Sequence, residues 1–239
     1  MAGIVNIRKT KNYRERREID SNNSKKLLRF DVENVKFLAD YFLVENFENR
    51  GGGLSTYQKM SIFLRYLSDP GFQSGVAGDM GVDRTTICKT ISRVTEEIIK
   101  KSHEWIKFPE TQGELDEAAA KWQSRFKIPT VIGALDCTHV EILKPKHFGD
   151  NYINRKGYPS LNIQATCDAD EKFTSLDVQW PGSTHDSRIW KRSDICQKLA
   201  RFRGSACLLG DSGYGITPWL LTPYKKPIRQ EETKKNTCH

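Results

Sequence analysis

The chain has 239 residues, 37% apolar and 28% charged, with mean hydropathy −0.61 and a net charge of +8. That is enough chain to bury a core without disulfides, and no apolar run reaches the ~18–20 residues of a membrane helix. The N-terminus lacks the apolar block of a secretory signal, so a membrane span and ordinary secretion are excluded as expectations.

The elements follow in chain order. Residues 1–29 hold nine Lys/Arg and three acids and read as a basic arm, loosely ordered or helical in part. Its charge suits phosphate contact or a nuclear-import patch, or simply a solvated tail. Residues 30–125 read as a helical region. Val35, Leu38 and Phe42 lie on one side of a helix over 32–44, and Ser55 is a plausible N-cap for the next, whose stripe is Tyr57, Met60, Phe63, Leu64 and Leu67. A short helix near 73–80, a turn at Gly81 and a longer helix over 84–101 follow, with Ile87, Ile91, Val94 and Ile98 forming its buried face and Asp83 its cap. Residues 109–128 read as a connector with one helical piece.

From residue 126 the texture changes to α/β. Thr130–Leu135 is a buried-strand candidate; 161–167 and 173–180 alternate; 184–201 reads as one helix; 206–209 is a further strand, and prolines 218, 223 and 227 keep the end irregular. Six cysteines without C-x-x-C spacing read as reduced thiols, in cytosol or nucleus.

Three features carry chemistry. Residues 73–101 have the pattern of a helix-turn-helix, with small Ala77 and Gly81 allowing a close crossing. Inserted into a major groove, the second helix would present Arg84, Thr85, Thr86, Lys89 and Arg93 to DNA; the same pattern also serves as a plain αα-hairpin. Asp136 and Asp211 each follow an apolar run. Two such strands side by side would pair two carboxylates, which is costly unless a cation such as Mg²⁺ or Mn²⁺ neutralises them. Alternatively, each Asp caps a turn. Gly182-Ser-Thr-His-Asp186 opens a helix, with Ser183 or Thr184 as N-cap and Asp186 favouring the dipole; His185, Asp186 and His139 are second-tier candidates for the carboxylate site.

In this order and spacing the strings resemble the PIF/Harbinger superfamily of transposases and the nucleases domesticated from it. The resemblance covers 54–239: Leu54-Ser-x-x-Gln-Lys-Met-Ser-Ile-Phe-Leu-Arg-Tyr-Leu67, Gly133-Ala-Leu-Asp-Cys-Thr-His139, Tyr158-Pro-Ser-Leu-Asn-Ile-Gln164, Pro181-Gly-Ser-Thr-His-Asp-Ser187, Leu208-Leu-Gly-Asp-Ser-Gly-Tyr214 and Leu221-Thr-Pro-Tyr224. It implies an RNase H-like mixed sheet with flanking helices in residues 126–239, preceded by the all-α helix-turn-helix region. It implies a DDE-type DNA endonuclease in which three acids bind two divalent ions, with Asp136 and Asp211 as catalytic, metal-holding residues. It also implies a nuclear protein that acts on DNA beside a Myb-like DNA-binding partner; oligomeric state is left open. The family's third acid belongs to a Val/Ile-Glu-x-x-Phe-Gly-like string after the Thr-Pro-Tyr segment, and no such string occurs up to His239. Glu231 and Glu232 lack the apolar flanks of a packed helix. The expectation is an α/β domain incomplete at its C-terminus, with a bare apolar strip on the sheet and weak or no activity. The alternative is a non-catalytic protein that binds DNA or docks a partner.

Overall fold

A computed structural model describes residues 16–17, 19–43, 53–68, 73–202 and 206–223. The chain divides into two compact units, Met1–His103 and Glu104–His239.

The first unit is helical among its described residues: α1 Ser21–Leu28, α2 Val32–Leu43, α3 Thr56–Ser68, α4 Gln73–Met80 and most of α5 Arg84–Trp105. Most of the basic arm before α1 lies outside the described residues. The apolar stripes expected from the sequence form most of the core, with Val35, Met60, Ile87 and Val94 nearly inaccessible; Leu67 is exposed instead, and Ile62, outside the expected stripe, is buried. Ser55 starts α3 with a reciprocal cap: its Oγ accepts from the Gln58 N–H at 3.1 Å, and its own N–H donates to Gln58 Oε1 at 3.1 Å. α4 and α5 are joined by residues 81–83. Gly81 takes φ +62°, which lets the Val82 N–H donate to the Ala77 carbonyl and end α4; Asp83 Oδ1 then accepts from the Thr85 N–H at 2.8 Å to begin α5.

The second unit holds α6 Gln112–Phe126, β1 Val131–Glu141, β2 Ser160–Cys167, β3 Phe173–Pro181, α7 Asp186–Arg192, α8 Asp194–Arg201, β4 Cys207–Leu209 and β5 Leu220–Leu221. The division falls before the expected boundary at 125/126 because α6, assigned from sequence to the connector, packs on β1 through Leu115 and its neighbours. The strand order is β3-β2-β1-β4-β5; β1, β2 and β3 pair antiparallel, while β4 runs parallel to β1 and β5 parallel to β4. This is an RNase H-like mixed sheet with flanking helices, as expected.

Three local expectations are corrected. β1 runs on six residues past Leu135, because β2 pairs with it as far as Glu141. The expected single helix over 184–201 is two, broken at Ser193, whose φ −69° and ψ 146° are extended; its Oγ donates to the Trp190 carbonyl and accepts from the Cys196 N–H, closing one helix and opening the next. The segment expected to be irregular supplies the short strand β5, held by Leu208 N–H to the Trp219 carbonyl and Gly210 N–H to the Leu221 carbonyl.

Directly opposed residues of an antiparallel pair share a sheet face. On one face Ile132, Leu135 and Leu208 pack with Trp190, Ile195, Leu199 and Tyr214. On the other, Val131, Ala134, Cys207 and Leu209 pack with Trp122 of α6. Further along this second face Val140 opposes Leu161, Ala165 opposes Leu176, and Cys167 opposes Phe173. Val140, Leu176 and Phe173 are exposed, and no described residue buries them. β2 is inverted relative to a usual strand: Ser160, Asn162, Gln164 and Thr166 are buried, while Leu161, Ile163 and Ala165 are half-buried.

Candidate active site

The carboxylates are placed by register. β1 and β4 pair in parallel, Val131 with Cys207 and Ala134 with Leu209. Two residues further along β1, Asp136 lies on the face of Ala134, and Asp211 follows two residues after the last residue of β4. Asp136 is not at a strand end, as its place after an apolar run suggested; it lies within β1, at the point where β4 ceases to pair. From there β1 is paired on the β2 side alone, Asp136 opposite Ala165, and both aspartates are exposed.

Each carboxylate is half engaged. Asp136 Oδ1 accepts from the Cys137 N–H at 2.8 Å, and Asp211 Oδ1 accepts from the Gly213 N–H at 2.9 Å. The turn-capping alternative is thus true of one oxygen of Asp211. Among the described residues no group donates to the second oxygen of either carboxylate.

The second-tier residues fall on the opposite face or beside it. His139 Nδ1 lies 3.1 Å from Ser160 Oγ, which also accepts from Asn154 Nδ2 at 3.0 Å. The Ser160 oxygen has a second lone pair and a proton of its own, so the tautomer of His139 sets which of the two groups donates. His185, rather than Ser183 or Thr184, is the N-cap of α7: its Nδ1 accepts from the Ser187 N–H at 3.3 Å. That engagement makes His185 a capping residue. Asp186, in the first turn of α7, accepts from Asn162 Nδ2 at 2.8 Å, and the same amide donates to the Thr184 carbonyl at 2.9 Å. Asn162 is fully buried, and its Oδ1, like Gln164 Oε1, has no partner among the described residues.

Two residues that sequence reasoning passed over tie these parts together. Cys137 follows Asp136, and its Sγ accepts from the Tyr214 hydroxyl at 3.0 Å. Burial, reinforced by Asp186 and Asp136 nearby, pushes the Cys137 thiol up to about 12, although the Tyr214 hydrogen bond opposes this; burial likewise raises the Tyr214 phenol strongly. The tyrosine in the string Gly210-Asp-Ser-Gly-Tyr214 was the available signal. At pH 8 only about one Cys137 thiol in 10⁴ would be ionised. Iodoacetamide is therefore expected to modify exposed Cys88 and spare Cys137 in the folded protein, with the two reacting alike in denaturant, as read by peptide mass spectrometry.

Residues 135–239 match the DDE superfamily endonuclease family. The chain is 28% identical over 191 residues to the protein named "Putative nuclease HARBI1" of Rattus norvegicus, an alignment covering 80% of this chain and 55% of the relative. The Homo sapiens counterpart is 27% identical over the same shares. "Protein ALP1-like" of Arabidopsis thaliana is 27% identical over 209 residues, covering 80% of this chain and 51% of the relative. The chain thus spans about half the length of the curated relatives it matches. No solved structure matches it.

DDE superfamily endonucleases generally use divalent metals, and the matched segment contains both Asp136 and Asp211. The donor chemistry fits one hard cation: Mg²⁺ is typically held by one or two carboxylates, keeping waters and substrate phosphate as its other ligands. Among the described residues no three His, Cys, Asp or Glu side chains cluster into a larger metal group. Glu231 and Glu232 lie outside the described residues.

Proposed function

We propose that this DDE domain is the catalytic unit of a Harbinger transposase-derived DNA endonuclease that hydrolyses phosphodiester bonds with Mg²⁺ or Mn²⁺. The observation that supports the reading is the parallel β1–β4 register, which ends at Ala134 and Leu209, two residues before Asp136 and Asp211, both of them exposed. Asp136 and Asp211 hold the ion with the oxygens that no backbone amide occupies. A divalent ion in such a site makes bound water a stronger nucleophile and offsets charge on the phosphate. Cys137 and Gly213 orient the two carboxylates by donating their amide hydrogens. The exposed position of the pair leaves room for a DNA strand.

The proposal extends to a nuclear protein working on DNA beside a Myb-like DNA-binding partner, supported by the Harbinger resemblance. An ion held by Asp136 and Asp211 without a third carboxylate is bound loosely, so slow cleavage is expected from these two residues. Supercoiled DNA incubated with the purified protein tests this. Slow nicking that requires Mg²⁺ or Mn²⁺ and stops with EDTA is expected; nicking that persists in EDTA, or a protein that neither binds Mn²⁺ nor nicks DNA, would overturn the reading.

A second reading, DNA binding without cleavage, is favoured by α5. Arg84, Thr85, Thr86, Lys89 and Arg93 are all exposed, and Thr86, Lys89 and Arg93 follow one another along the side of the helix away from buried Ile87, Ile91 and Val94. Burial, and then the nearby Arg93 guanidinium, lowers the Lys59 ammonium below its usual value, which places a lysine of α3 close to Arg93 of α5. If this surface contacts phosphates, Lys89→Ala should weaken DNA binding across sequences and reduce the log–log salt slope by about 1. A slope unchanged by the substitution would remove α5 from the interface.

A further inference from the structure

Asp211 needs an anchor that the sheet does not supply. The β1–β4 pairing ends at Ala134 and Leu209, and the next backbone bond of the β4 chain, from the Gly210 N–H, goes to the Leu221 carbonyl on the side away from β1. No ladder bond therefore fixes Asp211 against Asp136. The turn that Asp211 opens is closed by the Gly213 N–H on its Oδ1 and by the Tyr214 N–H on its carbonyl at 3.3 Å. Both bonds lie within the turn and would survive if the turn swung as a body.

Tyr214 is what connects this turn to β1. Its ring is 3% exposed, in the cluster that contains Leu135 and Trp190. Its hydroxyl, buried with the ring, has Cys137 Sγ as acceptor at 3.0 Å. A buried phenol without a partner is costly, so the bond favours this placement over any in which the turn moves away. Cys137 is in turn bracketed from β2 and α7: Gln164 stands opposite it, and Asp186, held by Asn162, lies close to the thiol. One hydrogen bond thus links the residue following the first aspartate to the turn begun by the second.

We propose that Tyr214 is a positioning residue for the ion site, holding Asp211 beside Asp136 through its hydrogen bond to Cys137. The inference rests on the assignment of the two aspartates to one divalent ion, and its test separates the two claims. Tyr214→Phe keeps the ring in the core and removes only the hydroxyl. It is expected to weaken Mn²⁺ affinity by about 10-fold, the low end for losing a group that orients a metal ligand. Hydrogen exchange at the Gly213 amide should accelerate in the metal-free protein, while the melting midpoint stays within a few degrees of wild type. Cys137→Val should reproduce both effects, the double variant should be no worse than either single one, and Cys137→Ser, which restores an acceptor, should recover most of the affinity. Wild-type Mn²⁺ affinity together with wild-type Gly213 exchange in Tyr214→Phe would overturn the inference, as would a loss that simply tracks the melting midpoint. A wild-type protein that binds no Mn²⁺ would overturn the ion assignment instead, and Gly213 exchange alone would then decide whether Tyr214 anchors the turn.

Discussion

Asp211→Asn and Asp136→Ala are each expected to lower Mn²⁺ affinity by more than about 100-fold and to abolish DNA nicking. Removing a residue that merely orients a metal ligand costs about 10–100-fold, and removing the ligand itself must cost more. Asn keeps the size of Asp211 and can still accept from the Gly213 N–H with its carbonyl oxygen, so the turn survives. What it loses is charge: the amide that replaces the second oxygen presents hydrogens to a cation. Both side chains are exposed and outside the apolar clusters, so neither substitution should lower the melting midpoint appreciably. Titration with Mn²⁺ and a plasmid-nicking assay on the same preparations check the pair of outcomes. Unchanged nicking in either variant would detach the aspartates from the reaction.

Gly182→Ala is expected to be the most damaging small substitution on the second unit. Gly182 lies between β3 and α7, with its N–H donating to the Ser160 carbonyl at 2.8 Å. A Cβ there would meet the Tyr152 carbonyl at 2.5 Å and the Ser160 carbonyl at 2.7 Å, and would press on Ser160 Oγ as well. Two of these are backbone atoms and cannot rotate away. The Ser160 hydroxyl is itself fixed by His139 and Asn154, so displacing it breaks a buried polar chain. A cost of about 3 kcal/mol is expected, at the upper end for overpacking, which corresponds to a midpoint lower by roughly 10 °C. Gly78, within α4, is the control: a Cβ there meets nothing within 4 Å. Gly78→Ala should stabilise by about 0.5–1 kcal/mol through the lower entropy of the unfolded chain. Thermal melts of the two variants distinguish these effects, and a neutral Gly182→Ala would show that the three strands of chain around it separate easily.

Much of the fold could be read along the chain because its determinants are local. The stripes of α2, α3 and α5 repeat at helical spacing, and all of their residues but Leu67 are buried or partly buried in one core. α4 and its turn are legible because Gly81 and Asp83 are the residue types that end and begin helices. The break at Ser193 was not legible: a Ser within an apolar-periodic stretch looks helical until its side chain takes both the cap of α8 and the end of α7. β5, two residues flanked by prolines, has no periodicity to read; it exists because β4 offers an edge.

The candidate site divides in the same way. The two apolar runs and the aspartates after them are properties of the chain itself, as are the strings that resemble the Harbinger nucleases. Alternation in β2 is also written in the residue order, since neighbouring side chains of any strand point to opposite faces. Which face is covered is not. Folding put Asn162, Gln164 and Thr166 inside, where Asp186 and Thr184 accept from Asn162 and the hydroxyls of β3 meet that of Thr166, and left Leu161 and Ile163 half open. Likewise, residues 75 apart in the chain become neighbours only through the β1–β4 register, and Tyr214 reaches Cys137 only because its turn crosses the end of that pair. Chain order carries periodicity and chemistry; adjacency across strands arises when backbone hydrogen bonds and burial choose one register among several that the same residues would allow.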